Sequence, residues 1–359
     1  MNIKYYTKEI LLSSIKDVTE SSELIQNNGS SVIISEYGGR PLGIFPKKDC
    51  YSLLWICPNI RNKITKRDRE IGGDRYWLSP ERAFFFRKPK KWKKWICQEG
   101  LDPANYKIIE KNTTSCKVNS PILVENYVSN EIFRGNITRT IKLIDDPISG
   151  GIHYIGIEIN EECILDKPHL KINSWNVANV ISGGRYNPGT VIIPTKNGTK
   201  PISYIKDIPQ EWLNVENKYT TFKIDSTKVY KLGISPENLD FSKKVKIGYF
   251  IKIPNTDNYG FLVKISDDLP KSQKECFDVP RNPKYKNNEI GIVQAYNSKS
   301  KRKSKLLYGE IELQLNPSKT IENKSHLKAK HQLLAYIGKK EEILKVLEKF
   351  LGINNFKSF

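Results

Sequence analysis

The stretch "LLYGEIELQLNP", residues 306–317, alternates apolar and polar side chains over ten positions. In an extended chain successive side chains point to opposite faces. Glu310, Glu312 and Gln314 therefore share one face with Tyr308 alongside, while Ile311, Leu313 and Leu315 take the other. The apolar face asks for a core. The other face, built of hydrogen-bond acceptors, is either a solvent-facing strand side or part of a site.

Working outward, the same pattern recurs. "YKIIEKN", "CKVNSPILVENYVS", "IFRGNITRTIKLI", "GIHYIGIEIN", "KINSWNVANVI", "TVIIPT", "YTTFKIDSTKVYKL", "VKIGYFIKI" and "GFLVKISD" are short, rich in β-branched residues and bounded by Gly, Pro, Asn or Asp. Upstream, "SVIISEYGGRPLGIF", residues 31–45, reads as strand, Gly-Gly turn, strand. No helical pattern of 10–15 residues separates these segments, so the sequence predicts an antiparallel sandwich or barrel rather than βαβ units. One exception is "KKEEILKVLEKFLGI", where Ile343, Leu344, Leu347, Phe350 and Leu351 recur at helical spacing. It predicts an amphipathic helix over about 340–352 that caps the β structure. The Lys-rich "YNSKSKRKSKLL" reads as a hairpin loop between strands, and residues 1–359 are expected to form a single domain.

Fifty-nine basic residues against 39 acidic ones give a formal net charge of +20, which favours encounter with polyanions. The six Cys residues form no C-x-x-C pair, so neither a zinc site nor a redox motif is supported, and buried free thiols are expected. "GGR" and "SGGR" lack the spacing and following helix of a dinucleotide site, and no cofactor or metal is predicted. There is no leader-like apolar segment and no run of about 18 apolar residues, which predicts a cytoplasmic protein with no membrane association.

"IGGDRYWLSPERAFFF", Ile71 to Phe86, places Asp74, Arg75 and Glu81 among Tyr76, Trp77 and three consecutive Phe residues. Unpaired charge is costly beside so much apolar surface. Either the charges form a buried network, or polar groups and flat rings are held together for a ligand. Saccharides present hydroxyls at their edges and apolar C–H faces, and so call for that combination. Arg40, after the first Gly-Gly turn, and Trp175, in "KINSWNVANVI", are further candidates for such a site.

Four segments in chain order carry a family resemblance: "YGGRPLGI", "GGDRYWLSPE", "SWNVANVISGG" with "VIIPT", and the E-x-Q-x-x-P of Glu312, Gln314 and Pro317. Together they resemble the galactose mutarotase-like (aldose 1-epimerase-like) superfamily, in a poorly characterised branch. The resemblance implies a mainly β antiparallel supersandwich with a concave, saccharide-binding side. It also implies Glu312 as catalytic base; the substrate-binding candidates expected around it are Arg40, Asp74, Arg75, Trp77, Glu81 and Trp175, chosen for their chemistry, with Gln314 on the same strand face. The mid-chain His that serves those epimerases as general acid has no counterpart here, where Ser174 and Trp175 stand instead. An epimerase and a non-catalytic saccharide binder both remain open.

The basic aromatic segment "FRKPKKWKKW", Phe86 to Trp95, supports two other readings. Its Lys and Arg residues could track phosphates while Trp92 and Trp95 stack bases, giving a nucleic-acid or polyanion binder. The same cations could instead attract an anionic saccharide to the concave side.

Overall fold

The structure is a computed structural model that describes residues 5–26, 28–285, 289–300 and 307–359. Residues 301–306, half of the expected Lys-rich hairpin loop, lie outside the described residues.

The alternating segments fold as extended strands, and every strand pairing described is antiparallel. Most of them enter two sheets. The larger includes, as neighbours, Val245–Lys252, Tyr259–Ser266, Lys324–Gly338, His153–Leu165, Glu131–Ile144 and Ser115–Asn126. The smaller runs in the order Ile202–Ser203, Tyr230–Ile234, Val293–Asn297, Tyr308–Pro317, Asn173–Ile181 and Asp74–Ser79. The expected hairpin at 31–45 forms from Ser31–Ser35 and Arg40–Phe45. Its turn needs Gly39 at φ +54°, and a Cβ there would come within 2.2 Å of the Tyr106 ring.

The two sheets face each other across a core. Ile311, Leu313 and Leu315 lie in it with Leu262, Leu333 and Ala335 of the larger sheet, so the apolar face of the 306–317 stretch is the buried one. The larger sheet's other face carries Phe261, Val263, Leu334 and Tyr336, against which Ile343, Val346, Leu347 and Phe350 pack from the helix Lys340–Leu351. That helix ends on Gly352 in the left-handed region, φ +66°. From one side to the other the layers are helix, larger sheet, core, smaller sheet.

The expectation of helix only at the C-terminus is corrected by Lys8–Ile15, Ile60–Thr65 and Glu81–Phe85. Lys8–Ile15 is short and buries only Leu11 and Ile15, too few positions for a periodic signal. Glu81–Phe85 is a single turn whose Ala83, Phe84 and Phe85 are all buried. No helix is long and apolar enough to cross a membrane among the described residues. All six Cys residues are free, four of them buried.

Candidate functional site

Strand parity assigns each side chain of the smaller sheet to the core or to the opposite face. In the register, Trp175 pairs with Trp77 on one side and Gln314 on the other, Val177 with Arg75 and Glu312, and Asn179 with Glu310. Glu310 also lies opposite Tyr296, which in turn pairs with Lys231. All of these point away from the core. Of these, Arg75, Trp77, Trp175, Lys231, Tyr296 and Glu310 line a cavity of about 720 Å³, and the others lie beneath its floor.

Arg75, Trp77, Trp175, Lys231, Tyr308 and Glu310 belong to that floor, and Glu81 stands beside it on the short helix. Trp92 and Trp95 enter from the hairpin formed by Phe86–Lys88 and Lys93–Trp95. Arg69, Glu70, Arg281 and Lys299 stand at the rim on loops.

Aromatic rings and guanidinium groups are layered against one another. Phe85 and Trp95 stack with centroids 5.7 Å apart, and Trp77 meets Trp175 edge-on at 5.1 Å. Arg75 lies over Trp77 at 4.2 Å and Arg69 over Trp95 at 4.6 Å, arrangements in which the cation is held by the ring quadrupole. Trp95, which carries both Phe85 and Arg69, is still 40% exposed.

Two ion-pair groups organise the floor. Arg75 Nη2 donates to Glu310 Oε1 at 2.5 Å, and Asn179 Nδ2 donates to the same oxygen at 3.0 Å. Lys231 Nζ lies 3.1 Å from Glu312 Oε2 and 3.8 Å from Glu81 Oε2, above the Trp175 ring at 4.5 Å. Trp95 Nε1 donates to Glu81 Oε1 at 3.0 Å, and the Tyr308 hydroxyl donates to Glu70 at 3.0 Å. Lys63 pairs with Asp68. Among the described residues Arg69, Arg281 and Lys299 have no ion-pair partner, so three cations of the cavity are uncommitted to any carboxylate.

Glu312 sits one layer deeper, with 0% exposure. Trp175 Nε1 donates to its Oε2 at 2.9 Å, and Oε1 is buried with no partner. Burial pushes its carboxyl up to about 7 against the pull of Lys231, with Glu310 and Glu81 adding to the rise. For Lys231, burial favours the neutral amine, but Glu312 and Glu81 outweigh it and raise its pKa.

The residues singled out in the sequence thus divide into three groups. Arg75, Trp77, Glu81 and Trp175 come together on the cavity. Glu312 and Gln314 lie buried on the same sheet face but do not line it, and Gln314 donates to Asp278 at 3.5 Å. Arg40 and Asp74 are placed elsewhere. Arg40 is fully buried, paired with Asp102 and donating to the Gly72 carbonyl at 3.1 Å, and Trp77 Nε1 donates to the same Asp102 at 2.9 Å.

Asp74, next in the chain to Arg75, points into the core between the sheets. There its carboxylate accepts from Arg139 at 2.9 Å, Lys264 at 2.7 Å and Asn176 at 3.0 Å, with Glu161 completing the network through Arg139. Burial alone would raise Asp74; Lys264, His331 and Arg139 overcome it and hold the carboxylate below its usual range. The network alternative posed for "IGGDRYWLSPERAFFF" thus describes Asp74, while Arg75, itself paired with Glu310, lines the cavity with Trp77 and Glu81.

Lys231, Glu310, Tyr296 and Arg69 were not picked out as site residues. For Lys231 there was a signal: a lysine in the middle of "VYKLGI", a strand otherwise built for burial. Arg281 and Lys299 come from loops and carry none. No His lines the cavity among the described residues; His331 lies 3.4 Å from Glu161 in the inter-sheet network.

An antiparallel β-layered protein with a basic, aromatic cavity on its smaller sheet is the class that fold and site define. DUF6786, a family of unknown function, matches residues 6–163. No curated protein matches the sequence. Among solved structures the chain is similar to a galactose mutarotase-like protein from Lactobacillus casei, at 13% identity and TM-score 0.45 over 89% of this chain and 99% of that one. It is also similar to galactose 1-epimerase from Lactobacillus acidophilus, at 13% identity and TM-score 0.44 over 94% and 97%. An aldose epimerase homologue from C. elegans aligns at 7% identity and TM-score 0.44 over 89% and 99%. At these scores the chemistry of the cavity has to come from its own residues.

Proposed function

We propose that the cavity binds a saccharide, and specifically one bearing an anionic group. The observation that carries this reading is the composition of the cavity. Six cationic side chains, Lys63, Arg69, Arg75, Lys231, Arg281 and Lys299, meet three carboxylates and a set of Trp and Tyr rings in one hollow. Its size falls in the range of about 300–1,000 Å³ usual for small-ligand sites. The exposed part of the Trp95 ring offers apolar surface for the C–H side of a sugar, and Glu81 and Glu310 offer acceptors for its hydroxyls. The uncommitted Arg69, Arg281 and Lys299 suit a carboxylate, phosphate or sulfate.

A second reading, in which the bound sugar is also turned over, rests on Glu312. Its carboxyl, pushed up to about 7, is suited to proton transfer near neutrality. In this reading Glu312 is the base, and Lys231, which does reach the cavity, takes the part of the acid that the sequence lacks as a His. Zero exposure of Glu312 makes binding without turnover the favoured alternative.

NMR exchange spectroscopy on glucose, galactose, glucuronate and galacturonate, with and without protein, tests both. Broadening of the uronate signals with little effect on the neutral sugars supports the anionic-saccharide site; no broadening of any sugar refutes it. Faster anomer exchange that disappears in Glu312→Gln would establish turnover.

A further inference from the structure

Beside the cavity, on the other flank of the Phe86–Trp95 hairpin, lies a second groove of about 610 Å³. The hairpin's two flanks differ in chemistry. Phe86, Trp92 and Trp95 line the cavity, whereas Lys88, Pro89, Lys90 and Lys91 line the groove. Arg82 adds a fourth cation, placed by donation from its Nε to the Pro89 carbonyl at 3.1 Å and by its position over Trp92 at 5.6 Å. Tyr127, Val128 and Phe277 supply apolar surface, with Val128 58% exposed. No carboxylate lines the groove among the described residues, and Val279 lines both hollows, so they adjoin.

From this juxtaposition we infer that the groove is a second subsite for the same ligand, and that the ligand is an anionic oligosaccharide rather than a single sugar. This rests on the reading of the cavity as an anionic-saccharide site. One residue of the chain sits in the cavity against Trp95, and the chain continues past Val279 along the Lys-lined flank. There each further anionic unit meets a cation with no acidic neighbour, and its C–H face meets Val128 or Phe277. Four cations without a counter-charge in one groove repel one another, and a repeating anion relieves that repulsion. Linking units that each occupy one subsite makes the second contact intramolecular, so affinity rises with chain length.

Calorimetry tests this with galacturonic acid, tetragalacturonate and a chondroitin sulfate tetrasaccharide, the last two distinguishing carboxylated from sulfated chains. The protein is compared with a Lys88→Gln, Lys90→Gln, Lys91→Gln variant, whose replaced side chains are exposed and whose thermal midpoint serves as the folding control. On the unaltered protein at least one tetrasaccharide should bind about tenfold or more tightly than the monosaccharide. The variant should erase that advantage while leaving the monosaccharide Kd within about twofold. Monosaccharide binding with no gain on lengthening, or a gain that survives in the variant, overturns the second subsite and leaves the cavity reading standing. Absence of binding by all three sugars removes the cavity reading as well. Oligothymidylate binding more tightly than either tetrasaccharide, and lost in the variant, would assign the groove to nucleic acid and overturn the inference.

Discussion

Asp74 and Arg75 are adjacent in sequence and serve opposite faces of one strand. Asp74 neutralises Arg139 and Lys264 between the sheets, while Arg75 holds Glu310 on the cavity floor. Asp74→Ala leaves two buried cations short of charge and is expected to cost about 3–5 kcal/mol in denaturant unfolding. Arg75→Ala should cost less stability, since Glu310 can reach water in the cavity, and should lower uronate affinity in the same calorimetric titration. Glu312 gives a pH signature. Its folded carboxyl keeps its proton above the ordinary value of 4.5, up to about 7. A raised carboxyl contributes its stability in full below the unfolded value and loses it as pH rises through the folded one. The urea midpoint of the unaltered protein should therefore fall, relative to that of Glu312→Gln, between pH 4.5 and about 7. Parallel profiles for the two proteins would contradict the raised carboxyl.

At the scale of elements, alternation made most strands legible, because a half-buried strand writes its two faces into every second residue. The polar row of Glu310, Glu312 and Gln314 and the apolar row opposite were readable in this way. Which polar residues face a cavity was not, because strand parity gives the face but not the depth: Glu310 reaches the hollow and Glu312, two residues on, lies under Trp175. Lys324–Gly338 was missed although it pairs with two central strands, since its Lys and His residues dilute the apolar signal. The C-terminal helix was legible from its stripe. It lies on the outer face of the larger sheet, remote from the cavity, so Leu347→Ala should cost about 2–5 kcal/mol in unfolding and leave ligand affinity unchanged. On the hairpin, Trp95→Ala removes the exposed aromatic surface of the cavity and should weaken uronate binding about tenfold, ~1.4 kcal/mol, read by calorimetry.

Across the whole molecule, one apolar cluster draws residues from both sheets. This shared core leads to the expectation that the chain unfolds as one unit, and scanning calorimetry should show a single transition whose calorimetric and van't Hoff enthalpies agree. The net charge of +20 has a local expression, since uncommitted cations gather at the cavity rim and along the adjoining groove. Composition alone could announce the excess but not where it collects, because the rim cations Arg69, Arg281 and Lys299 come from loops distant in sequence.

The central claim, that uncommitted cations over an aromatic floor hold an anionic sugar, is tested most directly by the affinity for glucuronate of the unaltered protein and of an Arg69→Ala, Arg281→Ala double variant, at low and high salt. The account predicts binding that weakens with salt and drops about tenfold or more in the variant, while the variant's residual binding depends less on salt. Glucuronate affinity that is the same in both proteins, or indifferent to salt, would contradict it.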